Sequence, residues 1–123
     1  SDQELACPCC GVNLCVDKLV NALEALREKI GLPITVTSGY RCAPHNAKVG
    51  GEPNSQHVRG MAADIKVVGL TPVEVYEIAK TVPAFGGFGV AHTFLHVDVR
   101  TTPAKWCYDA SGKSCPWNLP EAA

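Results

Sequence analysis

The sequence predicts an α+β fold: a small central, mainly antiparallel sheet with helices on one side. Three observations lead there. Apolar residues recur at helical spacing in one segment and alternate at strand spacing in two others. Helix and strand signals mix without the regular strand–helix–strand rhythm of a parallel sheet. The 123 residues, 46% hydrophobic and 19% charged, suffice for one core but not for two domains. Residues 1–123 therefore read as a single domain, with a cysteine-rich opening over 1–15 and a cysteine-containing tail over 101–123.

The opening run Cys7-Pro8-Cys9-Cys10-Gly11 reads as turns. Val16, Leu19, Val20, Leu23, Leu26 and Ile30 then line one face of a helix, which Gly31 and Pro33 stop. Ile34 to Thr37 is β-branched and reads as a strand. Gly39 to Gln56 holds Pro44, Gly50, Gly51 and Pro53 without a clear period. It reads as a long loop, and loops of that length in a compact domain are usually functional. From Ala62 to Val68, Ala63, Ile65 and Val67 point one way and Ala62, Asp64 and Lys66 the other. Thr71-Pro72-Val73-Glu74 is a capping box with proline at the first helical position, opening a helix that runs to about Lys80, ahead of Pro83. Gly86-Gly87-Phe88-Gly89 leads into another extended stretch. Phe94 to Val99 is the clearest strand, with Leu95, Val97 and Val99 on one face and Phe94, His96 and Asp98 on the other. The tail from Thr101 reads as irregular.

Charge narrows the partners. Eleven Lys and Arg against twelve Asp and Glu give a net charge of -1. No broad basic field exists for nucleic acid or an anionic membrane. No apolar run approaches the roughly 18 residues of a membrane span. Ser1 to Glu4 is polar, unlike a signal peptide.

The residues suited to metal chemistry are His57, at the end of the long loop, Asp64 and His96 on the polar faces of two strands, and Asp98 two residues beyond His96. Two neutral imidazoles and a carboxylate form a catalytic zinc set of three protein ligands, with the fourth position left to water. Such a zinc lowers the pKa of its water to about 7 and polarises a carbonyl, as peptide hydrolysis requires. The helical H-E-x-x-H motif is absent, so the architecture would differ from that of the zincins. On residue types alone, Asp98 could equally serve to orient His96, and Asp64 could be a solvated strand charge.

The run from Ser55 to Asp64 fits S-x-H-x-x-G-x-A-x-D at every specified position. With Ser38-Gly39-Tyr40-Arg41 upstream and His96-Val97-Asp98 downstream, the sequence resembles the zinc D-alanyl-D-alanine carboxypeptidase family, whose fold is shared with the hedgehog domain and the lysostaphin-type endopeptidases. The resemblance covers about residues 5 to 100. It implies a zinc peptidase acting on peptidoglycan stem peptides, with one Zn2+ per chain held by His57, Asp64 and His96. Arg41 matches the arginine that holds a substrate carboxylate or carbonyl, and its guanidinium fork suits that task. Ser55 matches a residue beside the peptide, or else it caps its own loop. Gly60 and Ala62 read as structural. The resemblance further implies a secreted, periplasmic or cell-wall location, bacterial or phage origin and a monomeric chain.

One departure bears on catalysis. Relatives place a glutamate three residues before the last ligand, or a histidine nearby, as the proton acceptor. Here those places hold Thr93 and Phe94. His92 is the nearest titratable residue and the expected base, while Asp98 is the other candidate and better suited to holding a ligand imidazole. A non-catalytic zinc-containing domain that binds cell-wall peptide is the alternative.

Seven cysteines, an odd number, imply an oxidising compartment with disulfides, or a thiolate metal site. Cys7-x-x-Cys10 has the spacing of half a zinc knuckle, but no second pair follows, so disulfides are the expected state. Cys107 with Cys115 would close a small loop, and a bridge from Cys42 to the N-terminal segment would clamp the loop bearing Arg41. A small redox or thiolate-metal protein would rest on the cysteines alone. Trp106 and Trp117 read as buried packing.

Overall fold

The structure is a computed structural model that describes residues 5–11, 13, 15–49 and 55–119. Helix α1 spans Asp17–Ile30 and ends on Gly31, whose φ of 69° lets its N–H reach the Arg27 carbonyl at 2.9 Å. Strand β1 (Ile34–Ser38) follows, then the short helix α2 (Ala43–Lys48) and β2 (Ala62–Val67). Helix α3 (Pro72–Ala79) starts at the capping box: Thr71 accepts from the Glu74 N–H and the Glu74 side chain accepts from the Thr71 N–H. Strands β3 (Gly87–Val90), β4 (Leu95–Asp98), β5 (Ala104–Tyr108) and β6 (Ser114–Pro116) complete the chain.

The six strands form one sheet in the order β1-β2-β4-β3-β5-β6, antiparallel except for the parallel pair β3–β5. One face carries the core. Ala63, Ile65 and Val67 of β2 and Leu95, Val97 and Val99 of the β4 segment are buried beneath α1 (Leu19, Leu23, Leu26) and α3 (Val75, Tyr76, Ala79). Burying each larger side chain stabilises the fold by roughly 1.5–3 kcal/mol. The alternation expected for β2 and β4 thus places their apolar residues against the helices and leaves Asp64, His96 and Asp98 on the other face.

Two readings of the sequence are corrected. The segment from Gly39 to Gln56 is not all loop: α2 lies in it, with proline in its first turn and Cys42 at its N-cap, while residues 50–54 lie outside the described part. The tail is not irregular: β5 pairs with the free edge of β3, and β6 folds back on β5. The second correction has a tertiary origin, since β5 is defined by an edge it must find across the sheet, whereas α2 has only six residues and no side-chain cap to announce it.

The expected disulfides are not formed, as none of the seven cysteines is bridged. Cys107 and Cys115 do face one another across β5 and β6, but the buried Cys107 thiol donates to Asn118 Oδ1 at 3.3 Å. Cys42 does meet the N-terminal segment, 3.6 Å from the Cys7 sulfur, without a bond between them.

Candidate metal centre

The polar face of the sheet is built row by row. Asp64 on β2 lies directly opposite His96 on β4, His96 lies opposite Gly89 on β3, and Gly89 lies opposite Trp106 on β5. In the adjoining row, Asp98 is flanked by Ala62 and Gly87. Residues opposite one another share a face, so the pairing alone brings the two acidic side chains and His96 together. The glycines of β3 clear the space. A Cβ at Gly87 would strike the Asp98 carboxylate, and one at Gly89 would strike the Trp106 indole. The glycine-rich run is therefore where the second layer of the site lies.

His57 arrives from the turn before β2. That turn is held by Gly60 N–H to the His57 carbonyl (3.2 Å) and Met61 N–H to the Gln56 carbonyl (2.9 Å). Gly60 has a φ of 70°, which glycine adopts without strain. Ser55 Oγ accepts from the His57 N–H at 3.1 Å, so the capping role of this hydroxyl is present, and Ser55 also lines the groove over the site.

His57 Nε2 and His96 Nδ1 each lie 3.2 Å from Asp64 Oδ1, and all three side chains are buried. Their protonation is dictated from behind. His57 Nδ1 is 2.8 Å from the Gly39 carbonyl, which can only accept, so this nitrogen carries the hydrogen. His96 Nε2 is 2.8 Å from Asp98 Oδ2. Burial pushes the Asp98 carboxyl up, but hydrogen bonds from His96 and Arg100 outweigh it and hold the group at about 2. Asp98 is thus an anion and His96 donates to it. In its neutral form, each imidazole therefore turns a lone pair toward an oxygen that is itself an acceptor.

Three acceptors converging in a buried place require a cation. Without a metal, burial raises Asp64 and lowers His96, yet hydrogen bonds from His57 and His96 hold Asp64 well below the usual carboxylate range, and those to Asp64 and Asp98 raise His96. The ligand atoms of His57, Asp64 and His96 all lie within 4.8 Å of one another. Two imidazole nitrogens and one carboxylate oxygen, each ring tied at its far nitrogen to an acceptor, fit Zn2+ better than Ca2+ or Mg2+, which favour all-oxygen shells.

Around this centre the structure adds Arg100 and Tyr108, which the sequence reading did not single out, and gives Trp106 a place beside the metal ligands. Arg100 Nε and Nη2 donate to the two Asp98 oxygens at 2.8 and 2.7 Å, and its backbone N–H adds a third bond at 3.2 Å. The signal for it was spacing: Arg100 is two residues beyond Asp98 on the same strand face. Trp106 lies 5.1 Å from the His96 ring, centre to centre, and together with Tyr108 forms one wall of the groove. Trp106 is half-buried as well as groove-lining, so its reading as buried packing is incomplete. Trp117 packs on Tyr76 at 4.8 Å, in line with that reading.

Arg41 reaches the site from the loop before α2. Its Nη2 lies 3.4 Å from Asp64 Oδ2, Nε donates to Ser38 Oγ at 3.1 Å, and Nη1 donates to Asn46 Oδ1 at 3.2 Å. It lines the groove with His57, Asp64 and His96. His92 sits exposed on the groove's rim, in the bend between β3 and β4 that Ala91 N–H to the Phe94 carbonyl closes at 3.0 Å. The groove is open and encloses about 1020 Å³. Asp98 is fully buried behind His96 and is not among its lining residues.

Comparison with known proteins bears on this arrangement. The family model described as Peptidase M15 matches residues 1–98. The zinc D-Ala-D-Ala carboxypeptidase of Streptomyces albus G is 48% identical over 44 residues, which is 35% of this chain and 17% of that protein. The match spans about a sixth of that relative's length.

Proposed function

The chain belongs to the peptidase M15 family, and from that premise we propose that it is a zinc-dependent hydrolase of peptidoglycan stem peptides, of the D-Ala-D-Ala carboxypeptidase type or a related endopeptidase. The observation that carries the reading is the convergence of His57 Nε2, Asp64 Oδ1 and His96 Nδ1, all acceptors, on the floor of an open groove. When bound there, zinc supplies a Lewis acid for the scissile carbonyl and a water of lowered pKa.

The chain's own residues then divide the remaining work. Gly39 and Asp98 hold the two imidazoles in their ligating tautomers, and Arg100 keeps Asp98 ionised and in place. Arg41 is preset by Ser38 and Asn46 with its guanidinium on the groove wall, where it offers charge-assisted hydrogen bonds to a peptide carboxylate or carbonyl. Ser55 stands beside it at the groove. His92 takes the proton and returns it to the leaving amine; among the described residues it is the one groove-lining histidine outside the ligand set. Asp98, locked between His96 and Arg100, positions a ligand and does not meet the substrate. Trp106, Tyr108 and Phe94 give the opposite wall an aromatic lining for the peptide.

The proposed actor is the single chain, acting as a monomer. The family supports a site of action outside the cytoplasmic membrane, at the cell wall. Among the described residues no helix is long and apolar enough to cross a membrane. The net charge of -1 supports a peptide partner over a nucleic acid or a membrane.

The test is release of D-alanine from a stem pentapeptide by zinc-loaded protein. Release should stop with a chelator and in His57→Ala, and fragment analysis of whole stem peptides would show which bond is cut. Fully zinc-loaded protein that binds stem peptide yet releases no fragment would replace this reading with the non-catalytic one. Thr93 and Phe94, which offer no group able to hold a proton beside the groove, favour that second reading.

A further inference from the structure

We propose that Cys7, Cys10 and Cys42 form a second metal site, a structural thiolate centre for Zn2+ that ties the N-terminal segment to the loop bearing Arg41. This goes beyond the peptidase reading and does not depend on it, because none of the three cysteines lines the groove.

The first observation is the cluster itself. The three sulfurs all lie within 4.8 Å of one another, with Cys7 and Cys42 3.6 Å apart. Around a tetrahedral zinc with bonds of about 2.3 Å, neighbouring sulfurs stand roughly 3.8 Å apart. A disulfide, with sulfurs at about 2.05 Å, would join two of the three and leave the last thiol beside the bridge, where exchange is open to it. A metal uses all three. A water or the exposed Cys9 of the same turn would complete the tetrahedron.

The second observation is the backbone around Cys7. The turn Cys7-Pro8-Cys9-Cys10 is closed by Gly11 N–H to the Cys7 carbonyl at 2.7 Å, with Gly11 at a φ of 74°. This folds the backbone N–H groups of Cys9 and Cys10 onto the Cys7 sulfur, and that of Cys42 adds a third from the other strand of the cluster at 3.5 Å. The His45 N–H likewise faces the Cys42 sulfur. N–H dipoles aimed at sulfur stabilise the negative charge that thiolate ligands keep when they bind a metal.

The third observation is what the cluster joins. Tyr40 N–H donates to the Leu5 carbonyl at 2.8 Å, and Gly39 lies so close to the Leu5 backbone that a Cβ there would strike it. The chain of contacts then runs through Cys42 to Arg41, whose backbone N–H donates to the His57 carbonyl at 3.2 Å. A metal at the cluster fixes the loop from which both the arginine and the His57-holding Gly39 carbonyl are presented.

The experiment uses protein purified under reducing, oxygen-free conditions. Zinc content should be two per chain, falling to one in His57→Ala and to one in Cys42→Ser or Cys10→Ser. Replacing zinc by cobalt should give the near-ultraviolet sulfur-to-cobalt charge-transfer band, retained in His57→Ala and lost in Cys10→Ser. A histidine–carboxylate centre cannot produce that band, so the result is independent of whether the protein is a peptidase. Measurement on the unmutated protein covers the case in which a cysteine variant fails to fold. Absence of the band from reduced, cobalt-loaded protein, or mass evidence for a Cys7–Cys42 disulfide with a single zinc in protein taken directly from its source, would overturn the proposal.

Discussion

Asp98→Asn keeps the shape of the side chain and removes its charge, and the consequences follow from four hydrogen bonds. Asp98 accepts from His96 Nε2 at 2.8 Å, from Arg100 Nε and Nη2 at 2.8 and 2.7 Å, and from the Arg100 N–H at 3.2 Å. An asparagine has one accepting oxygen and one donating amide. If the amide faces His96, the ring must take the opposite tautomer, putting its hydrogen on Nδ1, where the metal would bind. If the amide faces Arg100, two donors meet in a fully buried place. Either way the His96 lone pair is less available, and loss of such an orienting partner weakens metal affinity about 10–100-fold. A chelator-competition titration should read that loss.

Stability responds too. The Asp98 carboxyl sits at about 2 instead of an ordinary 3.8. That difference corresponds to about 2 kcal/mol of folding stability at neutral pH. Because the folded value is depressed, this stability is present above pH 4 and fades as pH falls toward 2. Metal-free Asp98→Asn should therefore unfold at lower denaturant at pH 7, and the gap to the unmutated protein should narrow in acid. Unchanged zinc affinity together with a kcat reduced by orders of magnitude would refute the tautomer argument and make Asp98 a group that meets the reacting atoms.

Four further outcomes are expected. Arg41→Ala should lower kcat/KM by roughly 2–5 kcal/mol with zinc content intact, and Arg41→Lys should recover only part of it, as steady-state kinetics will show. His92→Ala should retain zinc and lose about two to four orders of magnitude in kcat, together with the acidic limb of the pH–rate profile. Zinc binding, followed by competition across pH, should weaken as pH falls through the imidazole range, starting at higher pH than for an ordinary histidine, because proton binding at His96 is favoured in the metal-free site. Gly89→Ala should displace the Trp106 indole, seen as a shift in tryptophan emission, and destabilise the fold by about 1–3 kcal/mol.

How much of this was legible in the sequence depended on how local each feature is. Helix α1, strands β2 and β4 and helix α3 bury one face apiece, and that face repeats within a few neighbouring residues. Their existence, their orientation and the sharing of one sheet face by Asp64, His96 and Asp98 could therefore be read directly. The motif from Ser55 to Asp64, with His96 two strands on, pointed to the ligand set for the same reason. Helix α2 escaped notice because six residues with no side-chain cap carry too little local preference to declare a helix. Strand β5 escaped because its defining partner is β3, reached by a parallel pairing across the sheet. Gly87 and Gly89 read only as the lead into an extended stretch, yet their reason is the bulk of Asp98 and Trp106 placed over them. The cysteines show the divide most sharply. The sequence by itself determined their number, their odd count and the Cys7-x-x-Cys10 turn, all local facts. Cys42 was also expected beside the N-terminal segment, but only the tertiary structure decided that it meets Cys7, 35 residues away, without a bond, and that Cys107 turns to Asn118. Such meetings are set by how the packed helices and the sheet close the intervening chain, and local spacing carries no record of that closure.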